Sequence, residues 1–103
     1  MKSLSPAELA IMQQQGAQLV DVRSPQFFAK DGLTGAINAP LAEIQMGQQP
    51  LPRDRTLILV CERGLQSQLA ALYLETDGYT QVYNLAGGLV ALREAGQNQD
   101  QNP

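Results

Sequence analysis

A single cysteine, Cys61, stands where the apolar run Thr56-Leu57-Ile58-Leu59-Val60 breaks into the polar turn Glu62-Arg63-Gly64-Leu65-Gln66-Ser67. The run reads as a buried strand and Leu65 to Thr76 as a helix. The thiol is therefore expected on the strand's C-terminal lip, over backbone N–H groups that have no partner inside the helix. Oriented amides and the positive end of a helix favour thiolate over thiol, which makes Cys61 a candidate nucleophile. The competing reading is a small buried hydrophobe, a common fate of free cysteine. With no histidine in its 103 residues, the chain holds no Cys-His or Ser-His-Asp machinery, and one lone thiolate argues against a metal site. Catalysis, if present, falls to a thiolate activated by its own loop.

Other residues are candidates for supporting that loop. Asp21 and Arg23 end an expected strand, Leu19 to Arg23, and are placed to brace the loop through charge-assisted bonds. Gly87 and Gly88 either let a neighbouring loop approach the thiol or simply open the last helix. Ser67 either satisfies an early helix amide or is an exposed serine with no role. Seven Lys and Arg against ten Asp and Glu, with no basic cluster, argue against nucleic acid as a partner. No apolar stretch is long enough for a membrane span, and one cysteine allows no internal disulfide. A cytoplasmic monomer without a cofactor is the expected state.

The elements that must position these groups follow from cap, turn and periodicity signals. Leu4-Ser5-Pro6-Ala7-Glu8-Leu9 combines an N-cap serine, a first-turn proline, a capping-box glutamate and a Leu4–Leu9 staple, so a helix is expected from Pro6 to about Gln15. Ser24-Pro25 opens a brief helix to about Lys30 carrying Phe27 and Phe28. Ala36 to Asn38 reads as a very short strand, Pro40 to about Met46 as helical, and residues 47–54 as a loop. Thr56 to Val60 lacks alternation, which implies a strand buried on both faces of a parallel sheet. Leu65, Leu69, Leu72 and Tyr73 recur at helical spacing and are expected to lie on the sheet. Gln81 to Leu85 reads as another strand, followed by a helix with Leu89, Leu92 and Ala95. Residues 97–103 carry no apolar side chain and are expected to form a disordered tail after a single domain over 1–96. Strands alternating with helices give an α/β fold with right-handed crossovers.

Three stretches in order, with a fourth near the end, resemble a rhodanese-homology domain over about residues 4 to 96. Val20-Asp21-Val22-Arg23-Ser24-Pro25 is similar to that family's Asp-Val-Arg strand end. Gly32-Leu33-Thr34-Gly35-Ala36-Ile37-Asn38-Ala39-Pro40 resembles its Gly-His-Ile-x-Gly-Ala-x-Asn-Ile-Pro. Cys61 to Ser67 matches its Cys-x-x-Gly-x-Arg-Ser loop except at the arginine, where this chain has Gln66. Leu85-Ala86-Gly87-Gly88 with Ala91-Leu92 is similar to its closing Gly-Gly-x-x-Ala-Trp, leucine standing for tryptophan.

The resemblance implies a small, mostly parallel sheet of about five short strands with helices on both faces. It also implies a sulfurtransferase, with Cys61 carrying a persulfide and Glu62 to Ser67 binding substrate. The partners would be a small sulfur donor, thiosulfate or a persulfide, and a thiol, cyanide or protein acceptor. Gln66 leaves Arg63 as the only loop cation and Glu62 offsets it, so weak activity toward thiosulfate is expected. Leu33 and Leu92 read as packing changes. The alternative function is a binding or regulatory module with weak catalysis and a redox-sensitive Cys61. A cysteine phosphatase is argued against, because the phosphate-clamping arginine position six residues after Cys61 is Ser67.

Overall fold

In the computed structural model, which describes residues 2–48 and 50–100, strands and helices alternate along the chain. They are β1 (Lys2–Leu4), α1 (Pro6–Gln14), β2 (Gln18–Asp21), α2 (Pro25–Asp31), β3 (Ile37–Asn38), α3 (Leu41–Gln45), β4 (Leu57–Val60), α4 (Leu65–Thr76), β5 (Val82–Leu85) and α5 (Gly88–Asp100). The strands form one sheet in the order β1-β5-β4-β2-β3, with every neighbouring pair parallel. β4 lies at the centre and all four of its residues are buried, which is why its sequence shows no alternation.

The two faces of β4 feed two cores. Leu57 and Leu59 join Ile44 of α3 and Ala70, Ala71 and Leu74 of α4; Ile58 and Val60 join Leu9 of α1 and Leu85 of β5. Leu33 and Leu92 pack against the second core, as packing residues would. At the start of α1 the Glu8 carboxylate accepts from the backbone N–H and the hydroxyl of Ser5, at 2.9 and 3.0 Å. Leu4 and Leu9 meet in the same core, so the cap and the staple fix how the chain enters the helix.

Three features differ from expectation. β1 is a strand that the cap signals around Ser5 conceal, because three residues are too few to show a period. The stripe of Leu65, Leu69, Leu72 and Tyr73 does not lie on the sheet: these side chains are exposed, and α4 instead buries Ser67, Ala70, Ala71 and Leu74. Small residues on that face let the helix come close to the strands, and the large ones are left outside. Finally, α5 runs to Asp100 instead of giving way to a tail at Gln97. Gly96 takes no left-handed conformation and no proline intervenes, so nothing breaks the hydrogen-bond ladder there. Residues 101–103, the rest of that expected tail, lie outside the described residues.

From β2 the chain moves outward to β3, while from β4 it moves to β5 on the opposite side. The connections diverge between β2 and β4, and a crevice at the carboxyl ends of two such strands is where an open α/β sheet receives ligands. Cys61 follows β4 there, and Arg23 follows β2.

Candidate active site

Cys61 is only 3% exposed, and its sulfur is met by donors from the turn that follows it. The backbone N–H groups of Gly64 and Ser67 donate to Sγ at 3.1 and 3.3 Å, and the Ser67 hydroxyl lies 3.2 Å away. Gly64 is the N-cap of α4, and Ser67 sits in its first turn, so the sulfur occupies the place of a capping acceptor. Gly64 has φ +87°, and an added Cβ would stand 3.1 Å from the Gly87 nitrogen. Only glycine suits both the left-handed turn and that approach.

Behind the sulfur lies a buried chain of hydrogen bonds. The Ser67 hydroxyl donates to Asn84 Oδ1 in a short bond, and Asn84 Nδ2 donates to the Gly64 carbonyl at 3.2 Å. Ser67 is thus fully buried rather than an exposed serine, and Asn84 ties β5 to both donors. From the other side, the first amides of α5 hold the loop: Leu89 N–H donates to the Cys61 carbonyl at 2.9 Å and Val90 N–H to that of Glu62 at 3.0 Å. A Cβ on Gly88 would collide with those same two carbonyl oxygens, so the Gly87-Gly88 turn provides close approach as well as helix entry.

Arg23 links β2 to the loop. Its Nη2 donates to Asp21 Oδ2 at 2.9 Å and its Nε to Oδ1 at 3.1 Å, while Asp21 itself is completely buried. Arg23 Nη1 also reaches Asp31 of α2 at 2.9 Å and Glu62 at 3.7 Å. Hydrogen bonding to Asp21 first, and to Asp31 next among the favourable causes, holds the guanidinium above its ordinary pKa. The Asp31 carboxyl is in turn held below the usual carboxylate range, chiefly by its hydrogen bond from Arg23. Asn38 Nδ2 donates to the carbonyls of both Asp21 and Arg23 at 2.9 Å, which fixes the strand end that carries the pair.

These parts surround an open cleft of about 640 Å³. Of the residues named from sequence, Cys61, Glu62, Arg63, Leu65, Gln66 and Arg23 line it. Gly64, Ser67, Asp21, Gly87 and Gly88 lie behind the lining and shape it. Phe27, Lys30 and Asp31 of α2 close the other side, and neither they nor Asn84 and Arg93 were legible as site residues. A proline-led helix start with one lysine and one aspartate is common on any surface, and only the topology carries α2 to the loop.

A family model for the rhodanese-like domain matches residues 5–95, and the chain belongs to that family. It is 34% identical over 87 residues to the thiosulfate sulfurtransferase GlpE of Pseudomonas fluorescens, covering 84% of this chain and 80% of that relative. It is 36% identical over 73 residues to a sulfurtransferase of Allochromatium vinosum, covering 71% of this chain and 68% of the relative. The crystal structure of a rhodanese homolog from the extremely thermophilic bacterium Thermus thermophilus matches 88% of this chain and 100% of its own, with 47% identity and a TM-score of 0.77.

Proposed function

We propose that the protein is a sulfurtransferase whose nucleophile is Cys61. The observation that carries this is the convergence of two backbone N–H groups on Sγ in a residue that also lines an open cleft. A structural cysteine needs neither.

In the first step the Cys61 thiolate attacks the outer sulfur of thiosulfate, the donor's S–S bond breaks, and sulfite leaves with the bonding pair. The new persulfide carries its negative charge on the terminal sulfur. In the second step cyanide or a thiolate acceptor attacks that terminal sulfur, and Cys61 departs as thiolate. The Gly64 and Ser67 amides are already oriented toward the leaving atom, so two donors meet its charge as it forms. Persulfide donors enter the same first step with a thiolate as leaving group. A reducing compartment suits the mechanism, since it keeps the lone thiol free.

Intact mass spectrometry tests the reading directly. After incubation with thiosulfate or a low-molecular-weight persulfide, the chain gains one sulfur atom at Cys61, and cyanide removes it as thiocyanate. The Cys61→Ser variant gains none. If neither donor adds sulfur to the unaltered chain, the proposal fails.

A further inference from the structure

In the sequence Glu62 adjoins Arg63, as if its charge were subtracted from the pull on an anionic donor. The structure gives Glu62 different partners. Arg93, in α5 and outside the cleft lining, spreads its guanidinium across two acids: Nη1 lies 3.1 Å from Glu62 Oε2 and Nη2 lies 3.0 Å from Asp31 Oδ2. Arg23 grips the same two acids with Nη1, 2.9 Å from Asp31 Oδ1 and 3.7 Å from Glu62 Oε1. With Asp21, which Arg23 also holds, three carboxylates share two guanidiniums, so the network keeps one net negative charge and each guanidinium is needed to offset it. Among the described residues, the other two cations of the lining, Arg63 and Lys30, form no ion pair.

We propose that Arg93 is a positioning residue that sets the donor charge this cleft accepts. By holding Glu62 and Asp31 aside, it leaves Arg63 and Lys30 to attract a dianion such as thiosulfate. The proposal rests on the sulfurtransferase reading and adds the donor class to it. The pairs that Arg93 makes are exposed and contribute little to folding, so its role lies in the field it helps to set. That field acts within the ~10 Å screening length at 0.1 M salt, close enough to reach a donor in the cleft. Its effect scales with donor charge, because the interaction energy is proportional to that charge.

The scaling supplies the test. Sulfur transfer to cyanide is measured on the full chain with thiosulfate, a dianion, and methanethiosulfonate, a monoanion that loses methanesulfinate in the same step. Arg93→Met is expected to lower kcat/KM for thiosulfate about tenfold, through KM, and for methanethiosulfonate about threefold, the square root expected for half the charge. The double variant Glu62→Gln/Arg93→Met is expected to return both values to within about twofold of the original, since the freed carboxylate is gone. Glu62→Gln alone is expected to increase the preference for thiosulfate. An equal fall for both donors, no fall, or no recovery in the double variant overturns the role of Arg93 while leaving sulfur transfer intact. An unaltered chain that takes sulfur from neither donor overturns the underlying reading and this proposal with it.

Discussion

Ser67 has one hydroxyl proton and two neighbours, Asn84 Oδ1 and Cys61 Sγ, that can accept it. The Gly64 carbonyl can only accept, so the Asn84 amide must turn its NH2 toward it and its oxygen toward Ser67. The hydroxyl proton is thereby committed to Asn84, and the oxygen faces the sulfur as an acceptor, suited to a neutral S–H. To serve a sulfur anion the hydroxyl must turn away from Asn84. Asn84→Leu is therefore expected to speed alkylation of Cys61 by iodoacetamide several-fold at fixed pH, because the hydroxyl becomes free to donate to sulfur. The gain should vanish in Asn84→Leu/Ser67→Ala, and an unchanged or slower rate in the single variant would refute the argument. Stability should fall by about 1–3 kcal/mol in denaturant titration, since the Gly64 carbonyl loses its side-chain partner. At Gly64 the constraint is steric, and Gly64→Ala is expected to cost about 1–3 kcal/mol through its left-handed φ. None of the Asn84 chemistry could be read from the sequence, where an asparagine in a strand gives no sign of what lies beneath it. The places of the cysteine and its glycine could be, because the apolar run marks the end of the strand and the polar turn after it leads into a helix.

Helix α4 has two stripes at helical spacing, and the sequence favours the wrong one. Its ends were legible to the residue, since Gly64 and Gly78 bracket a continuous run of good helix formers. Its orientation was not, because periodicity weighs hydrophobic bulk, whereas this interface selects small side chains for a close approach. The face actually buried is testable by a pair of substitutions. Ala70→Leu, at a fully buried position, is expected to cost about 1–3 kcal/mol by overpacking. Leu69→Gln, at a position 41% exposed, should stay within about 0.5 kcal/mol of the original. Equal losses from the two would reverse the assignment of faces. Element ends elsewhere follow local rules more faithfully, as at α1. There the Glu8 carboxyl is held below its usual value of 4.5, first by the Ser5 backbone bond and then by the Ser5 hydroxyl. A depressed folded pKa adds stability above the unfolded value, and this contribution is lost as the pH falls through the folded one. Glu8→Gln should thus lower Tm near neutral pH and match the original chain once both are acidified below the folded pKa, as thermal melts across pH would record.

At the scale of the molecule, the sheet order brings the ends of β2, β4 and β5 to one rim, and each contributes a different part of the site. β2 delivers Arg23, β4 delivers Cys61, and β5 delivers Asn84 and then the glycine turn that leads into α5. The unbroken apolar run of Thr56 to Val60 was enough to predict a parallel sheet covered on both faces. What it could not supply was the fifth strand, because β1 is defined by its partner rather than by any pattern of its own. β1 pairs in register with β5, Lys2 opposite Tyr83, Ser3 opposite Asn84 and Leu4 opposite Leu85. The Leu4 carbonyl accepts from Ala86 N–H at 2.9 Å, just before Gly87. This edge strand therefore backs the segment that holds the cysteine loop in place, although none of its residues lines the cleft. Leu4→Ala is expected to cost about 2–4 kcal/mol, as truncation of a buried leucine does. It should also act locally. In hydrogen exchange, the Leu89 and Val90 amides, which donate to the Cys61 and Glu62 carbonyls, should lose more protection than the Ala39 amide at the far edge of the sheet. A uniform loss at all three amides would mean that β1 contributes buried area alone, and that the glycine turn keeps its grip on the cysteine loop without it.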